Sequence, residues 1–286
     1  MAKYANNDFH PQKLYPILEG KAGIVTGAGS GIGRAAAQIF AGSGAKVMIC
    51  GRHEKPLAET KKLVEDAGGV CEYVLCDISK EEEVEALVKA TVDKFGKLDF
   101  AFNNTAMDQP FMPIWERDAE TYKKVVDTNL LGTFYCIKHE SLVMTKQGFG
   151  SIVCTSSGAG AWGCPGQEPY STSKAGVSEL VLCTCMDLGK YGVRINAILP
   201  GLTMTPMPKV WMSKDPEKGK DMLRGIPIGR AAEPEEQAYA ALFLISDYAS
   251  DINGALLRVD GGYTAGIYND PDYEIPEAYD FMRPKK

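Results

Sequence analysis

Short β-rich runs alternate with helix-compatible stretches along almost the whole chain. Gly23-Ile24-Val25 precedes a glycine-rich turn, and Arg34 to Ser43 then reads as a helix. Lys46 to Cys50 and Tyr73 to Cys76 read as the second and third strands, followed by helices over Glu54 to Ala67 and Lys80 to Phe95. Leu98 to Phe102, Ser151 to Thr155, Arg194 to Leu199 and Leu256 to Val259 are further strands. Helical patterns over Ala119 to Met144, Ser171 to Tyr191 and Glu233 to Ser246 separate them. Strands alternating with helices predict βαβ units and a parallel sheet. Such a sheet is covered on both faces, which is why its strands are nearly unbroken apolar runs. The expected fold is α/β, a doubly wound parallel sheet with helices on both faces.

The chain has 286 residues, 45% of them hydrophobic and 24% charged, enough for a substantial core. One domain over residues 1–286 accounts for almost everything, with a core of about 18–265, an N-terminal arm 1–17 and a tail 266–286. Met204 to Arg224 reads as a short helical insertion. The net charge of −6 argues against a nucleic-acid partner and against a polybasic membrane-surface site. No apolar run approaches the roughly 20 residues of a membrane span, and Met1 to Leu18 lacks the pattern of a secretory signal. The eight cysteines are scattered and form no CxxC pair, and the three histidines lie far apart, so no metal site is expected. Free thiols at this density suit a reducing compartment, and the cytoplasm is the expected location.

Thr26-Gly27-Ala28-Gly29-Ser30-Gly31-Ile32-Gly33 follows the first strand and opens the first helix. Glycines permit a tight turn and close backbone approach, and the free N–H groups of a helix start meet phosphate charge. In a strand–turn–helix context the spacing of Gly27, Gly31 and Gly33 points to a Rossmann-type dinucleotide site. The second strand ends in Cys50-Gly51-Arg52-His53, with no carboxylate for a ribose 2′-OH. Arg52 can pair with a 2′-phosphate and Arg34 can help, so NADP is preferred over NAD. Asp77-Ile78 ends the third strand. Asp77 can accept from an adenine amino group or cap the next helix, the latter a role better fitted by Ser79.

Tyr170 and Lys174 are four residues apart, so on a helix they share one face. A cation within ~4–6 Å is expected to lower the phenol pKa from about 10, making an acid–base device for a carbonyl oxygen. Ser157 follows the strand Ser151 to Thr155, at the carboxyl end where ligands sit. There it either orients a substrate oxygen or merely caps a turn.

These motifs together resemble the short-chain dehydrogenase/reductase family, in its short single-domain branch, from about Leu18 to Ala265. The matching positions are Thr26 to Gly33, Asn103-Asn104, Asn129, Ser157, Tyr170, Lys174 and Pro200-Gly201 with Thr205 following. The resemblance implies that Tyr170 exchanges the proton, Lys174 binds the nicotinamide ribose and favours the phenolate, and Ser157 orients the carbonyl. It implies that Asn129 holds a water linking Lys174 to solvent. Cofactor contacts are implied for Gly27, Ser30, Gly31, Ile32, Gly33, Arg52, Asp77, Ile78, Asn103, Pro200, Gly201, Thr203 and Thr205, with Asn103 framing the adenosine ribose. One departure stands out: Thr105-Ala106 replaces the family's Ala-Gly. If position 106 needs a positive φ, alanine there costs about 1 kcal/mol or more.

Trp162 and Met207, with Met107, Phe111, Trp211 and Met212, are candidate pocket residues. Large and adaptable, they suit an apolar ligand body, such as a hydroxysteroid, or equally serve as core or interface packing. A 3-oxoacyl-carrier-protein reductase and a catalytically silent nucleotide-binding regulator are the alternatives. The family resemblance also implies a homo-oligomer, a tetramer, paired through the helices of Ala119 to Met144 and Ser171 to Tyr191. The second of these helices carries an apolar run, Val181-Leu182-Cys183, beyond what its own sheet needs.

Overall fold

The computed structural model describes residues 14–206 and 223–266. Seven strands form one parallel sheet: β1 (Ala22–Thr26), β2 (Lys46–Gly51), β3 (Val70–Leu75), β4 (Phe100–Asn103), β5 (Gly150–Thr155), β6 (Val193–Pro200) and β7 (Leu256–Val259). Their spatial order is β3-β2-β1-β4-β5-β6-β7. The helices are α1 (Gly31–Gly42), α2 (Glu54–Asp66), α3 (Glu81–Phe95), α4 (Ala119–Val126), α5 (Gly132–Gln147), α6 (Glu168–Leu188) and α7 (Pro234–Ile245).

Every residue of β1 and β4 is buried, as strands roofed on both sides must be. On one face α1, α2 and α7 close over Phe40, whose ring meets Phe100 and Phe102 edge-on at 5.6 and 5.9 Å. On the other, α3, α5 and α6 cover Met48, Leu87, Met144, Val177 and Val181. The chain leaves β1 for β2 and β3 on one side and returns to β4 on the other. The crevice beyond the carboxyl ends of β1 and β4 is where a doubly wound sheet takes its ligand.

Some boundaries differ from the sequence reading. The third strand begins at Val70 and stops before Cys76. It is a partly exposed edge strand, so no unbroken apolar run marks its start. The helix expected over Ala119 to Met144 is continuous, but its turn Asp127–Leu131 is a wider π turn around Asn129. A 3.6-residue periodicity cannot reveal one such turn. Leu14 and Ile17 already pack on the core and Leu18 is fully buried, so packing begins ahead of residue 18. Met207, Trp211 and Met212, the first residues of the arm and the tail from 267 lie outside the described residues. No described helix is long and apolar enough to cross a membrane, and no described group of three His, Cys, Asp or Glu clusters as metal ligands.

Candidate active site

Gly31 has φ +53°, and a Cβ there would lie 3.0 Å from Thr205 Cγ2. A Cβ on Gly33 would come within 2.3 Å of the Gly27 carbonyl oxygen. The start of α1 is thus pressed on the end of β1 while the loop after β6 folds across it, and side chains would block both contacts. Ser30 stands at the N-cap but makes no side-chain cap bond, so the first N–H groups of α1 have no side-chain partner there.

From this turn a cleft of about 460 Å³ runs past Gly27, Ser30, Arg52, Asp77 and Ile78 to Thr105, Met107 and Thr128. Arg52 is exposed on its rim and makes no ion pair among the described residues. Arg34 is occupied: its guanidinium donates to Thr60 Oγ1, to the Gly29 and Pro56 carbonyls and to Glu59. It ties the glycine turn to α2 instead of facing a ligand. Asp77 accepts from the Ser79 amide and hydroxyl at 3.1 and 2.8 Å, closing a local turn. Ser79 is therefore not the cap that the sequence suggested; the residue before α3 is Lys80.

The wall from β4 contains a residue the sequence reading treated only as a departure. The Thr26 hydroxyl accepts from the amides of Asn104 and Thr105 at 2.9 and 3.1 Å. Thr105 then packs 3.0 Å from where a Gly27 Cβ would lie, and its own hydroxyl is buried without a described partner. The glycine cradle, the helix start, the orphaned Thr105 hydroxyl and Arg52, which has no described ion pair, together fit a dinucleotide cofactor. Asn103 is arranged otherwise than expected: its Nδ2 donates to Glu140 at 2.8 Å within the core, and its Oδ1 is buried without a described partner. Thr203 Oγ1 is likewise engaged with the Gly201 carbonyl and Gln237, and Gly201 N–H donates to Val259.

Tyr170 and Lys174 lie one turn apart near the start of α6. Lys174 is 1% exposed; its Nζ stands 5.7 Å from the centre of the Tyr170 ring and donates to the Thr155 carbonyl at 2.6 Å. Burial pulls the ammonium down to about 8. Burial pushes Tyr170 up to about 12; a hydrogen bond with Ser157 acts the other way, and the Asp108 carboxylate adds to the rise. The expectation that Lys174 depresses the phenol is therefore corrected. The ammonium lies over the ring and gives its hydrogen bond to Thr155, while loss of water disfavours the phenolate. Ser157 caps a turn: its hydroxyl accepts from Ala159 N at 3.1 Å at the start of a short 3-10 turn, and it lies close enough to Tyr170 to favour the phenolate.

Asn129 is fully buried in the π turn. Its Oδ1 accepts from Met107 N at 2.7 Å, and its Nδ2 donates to Met107 O and to Ser173 Oγ at 2.9 and 3.1 Å. Its side chain thus braces the loop after β4 against α6. Beside Ser157, Trp162 packs against Tyr263 with ring centres 6.3 Å apart, and Thr264 stands against Gly158. Tyr263 and Asp108 were not signalled by any motif: one follows a glycine pair near the tail, and the other is a single acid in Met107-Asp108-Gln109-Pro110.

A family model described as Enoyl-(Acyl carrier protein) reductase matches residues 27–264. A 2,5-dichloro-2,5-cyclohexadiene-1,4-diol dehydrogenase of Sphingobium indicum is 43% identical over 249 residues, covering 87% of this chain and 98% of that protein. A cis-4-hydroxycyclohexanecarboxylate dehydrogenase of Sinomonas cyclohexanicum is 38% identical over 245 residues, covering 86% and 97%. The crystal structure of levodione reductase superposes with a TM-score of 0.83 at 34% identity, covering 87% and 99%. The chain belongs to the short-chain dehydrogenase/reductase family. It is an oxidoreductase of the alcohol dehydrogenase and ketone reductase kind, in a family that works with NAD(P).

Proposed function

We propose that this protein interconverts a ring-borne secondary alcohol and its ketone, with NADP(H) preferred over NAD(H) and Tyr170 as the proton carrier. The observation that carries the reaction is the fully buried Lys174, its Nζ 5.7 Å from the centre of the Tyr170 ring, with Ser157 beside the phenol. In reduction, the Tyr170 hydroxyl, held protonated by its surroundings, donates to the carbonyl oxygen, which Ser157 holds in line. In oxidation the same oxygen of Tyr170 takes the alcohol proton. Lys174 keeps a positive charge close to the ring, and Asn129 fixes the loop and helix that flank them. When bound, the nicotinamide supplies or accepts the hydride.

For the cofactor, the cradle is formed by Gly27, Ser30, Gly31, Ile32 and Gly33, with Ile78 and Thr105 on the walls and Asp77 toward adenine. Backbone at Asn103, Pro200, Gly201 and Thr203 and the side chain of Thr205 complete it, and Tyr170 and Lys174 face the nicotinamide ribose. Arg52 takes the 2′-phosphate, since the end of β2 offers no carboxylate.

For the substrate, the Trp162–Tyr263 pair supports a flat apolar body, and two relatives carry cyclohexane-type rings in their names. A hydroxysteroid is the larger member of the same class. Phe111, Ile114 and Trp115, exposed at 54%, 69% and 81% on the segment after β4, are the apolar surface assigned to it. We place the protein in the cytoplasm as a homotetramer; its eight cysteines are all free thiols, as a reducing compartment would keep them.

A cofactor-coupled absorbance assay tests the reading. Wild type and Tyr170→Phe are compared on cyclohexanols, cyclohexanones, steroid alcohols and acyl thioesters. Turnover of ring alcohols that falls by about 10²-fold or more in Tyr170→Phe, with cofactor binding kept, is the expected outcome. Turnover of acyl thioesters alone would favour a carrier-protein reductase instead. Binding without any turnover would favour a regulator.

A further inference from the structure

We infer that Asp108 is a second substrate-binding residue, which accepts a hydrogen bond from a hydroxyl on the ring remote from the reacting carbon and rejects a carboxylate there. The inference rests on the ring-alcohol reading above.

Asp108 is held between two anchors. On its N-terminal side, Asn129 grips Met107 by both its amide and its carbonyl. On the other side, Arg117 is nearly fully buried and donates to the carbonyls of Pro110 and Gly166 at 2.8 and 3.0 Å, and to Glu168 at 2.7 Å. Met112 N–H also reaches the Gly166 carbonyl, at 3.4 Å. Gly166 and Glu168 immediately precede Tyr170, so the segment carrying Asp108 is pinned across from the catalytic tyrosine.

The state of the carboxylate there is unusual. Its Oδ1 accepts from Gln109 N at 2.8 Å, while Oδ2 has no described hydrogen-bond partner. No Lys, Arg or His pairs with it among the described residues. It caps no helix: the helix that follows, α4, is capped by Asp118. Partial burial raises its own pKa, and its charge makes Tyr170 harder to ionise. On Tyr170 alone, then, its effect opposes oxidation. A desolvated carboxylate with one oxygen free, on a segment tied through Arg117 to the residues just ahead of Tyr170, is suited to receive a neutral donor from the substrate. It would repel an anionic substituent at the same place.

The test compares kcat/KM for cis-cyclohexane-1,4-diol, cyclohexanol and cis-4-hydroxycyclohexanecarboxylate in wild type, Asp108→Asn and Asp108→Ala. Wild type is expected to favour the diol over cyclohexanol by about tenfold or more and to use the carboxylate least. Asp108→Ala should bring the diol-to-cyclohexanol ratio close to one. Its cyclohexanol oxidation profile should also move to lower pH, because a charge that raised Tyr170 is gone. Asp108→Asn keeps an acceptor without the charge, so it should retain part of the diol preference and gain on the carboxylate. Equal use of diol and cyclohexanol by wild type would overturn the inference. So would an equal loss on all three substrates in Asp108→Ala with an unmoved pH profile, since that marks a purely structural residue. In both cases the ring-alcohol reading would stand. If wild type turns over none of the three, that reading falls and the inference with it.

Discussion

Glu140, on α5, is 1% exposed, and its described hydrogen-bond partner is the Asn103 amide. Burial pushes its carboxyl up to about 8, against which the Asn103 bond acts only weakly. An unfolded glutamate titrates near 4.3, so between the two values the folded chain holds a proton that the unfolded chain has released. The stability this confers is complete below about pH 4 and is lost as pH rises toward 8. Glu140→Gln cannot ionise and should escape that loss. Thermal melts at pH 5 and pH 8 are expected to show wild type falling by several kcal/mol relative to the variant. Arg52 carries a second prediction at this scale. Arg52→Ser should raise KM for NADP(H) by about tenfold or more and change KM for NAD(H) far less, read from initial rates with each cofactor.

Residues of these kinds differ in how visible they are in a sequence. Tyr170 and Lys174 are one helical turn apart and Ser157 follows the end of a strand, so those three are readable from local geometry, whereas Asn129 is placed only by the family resemblance. Glu140 sits in Lys138-His139-Glu140, which reads as a solvated face, and only the packing of α5 on β4 turns it inward. Thr105 depends on Thr26 of β1, and the setting of Asp108 depends on Asn129, Arg117 and Glu168, all distant in the chain from one another. The pKa of Tyr170 was misjudged for the same reason: i,i+4 spacing brings a cation near, but not how much water is removed.

Among the elements, the stretch from Gln109 to Arg117 is irregular except for a single 3-10 turn at Ile114–Glu116, yet it is fixed at both ends. Arg117 fixes the far end through one ion pair and two carbonyls. Arg117→Met should destabilise the fold by about 1–3 kcal/mol, less than breaking a fully buried pair, because Glu168 stays 20% exposed. Urea midpoints measure that cost, and KM for a ring alcohol should rise more than kcat falls. The strands and most helices were readable from apolar runs and periodicity. The π turn was not, because it adds one residue to one turn and leaves the sequence pattern on either side intact. The fastening of the loop was not, because Arg117 and Glu168 are far apart in the chain.

At the scale of the whole molecule, the doubly wound architecture follows from the alternation of strands and helices. Assembly is less visible in the chain. Of the apolar run Val181-Leu182-Cys183, Val181 is taken up by the protomer's own core, while Leu182 and Cys183 are exposed. Large apolar side chains are exposed on both helices: Phe134 and Leu142 on α5 at 41% and 50%, and Leu182 and Met186 on α6 at 39% and 81%. If those faces join protomers, sedimentation equilibrium will give a tetramer, and Leu182→Glu with Met186→Glu will shift it to smaller species. A monomeric wild type would reject the arrangement.

The middle of the sheet joins β1 to β4, where Gly23 pairs with Phe100. During synthesis, β1, β2 and β3 can pair as soon as they leave the ribosome, but the crevice needs β4, which emerges only after α3. A chain interrupted before Phe100 would thus possess its glycine turn and yet have no second wall to hold a nucleotide against it. Nucleotide capture becomes possible only when the two halves of the sheet meet, so it can stabilise the joined sheet but cannot guide the first strands together.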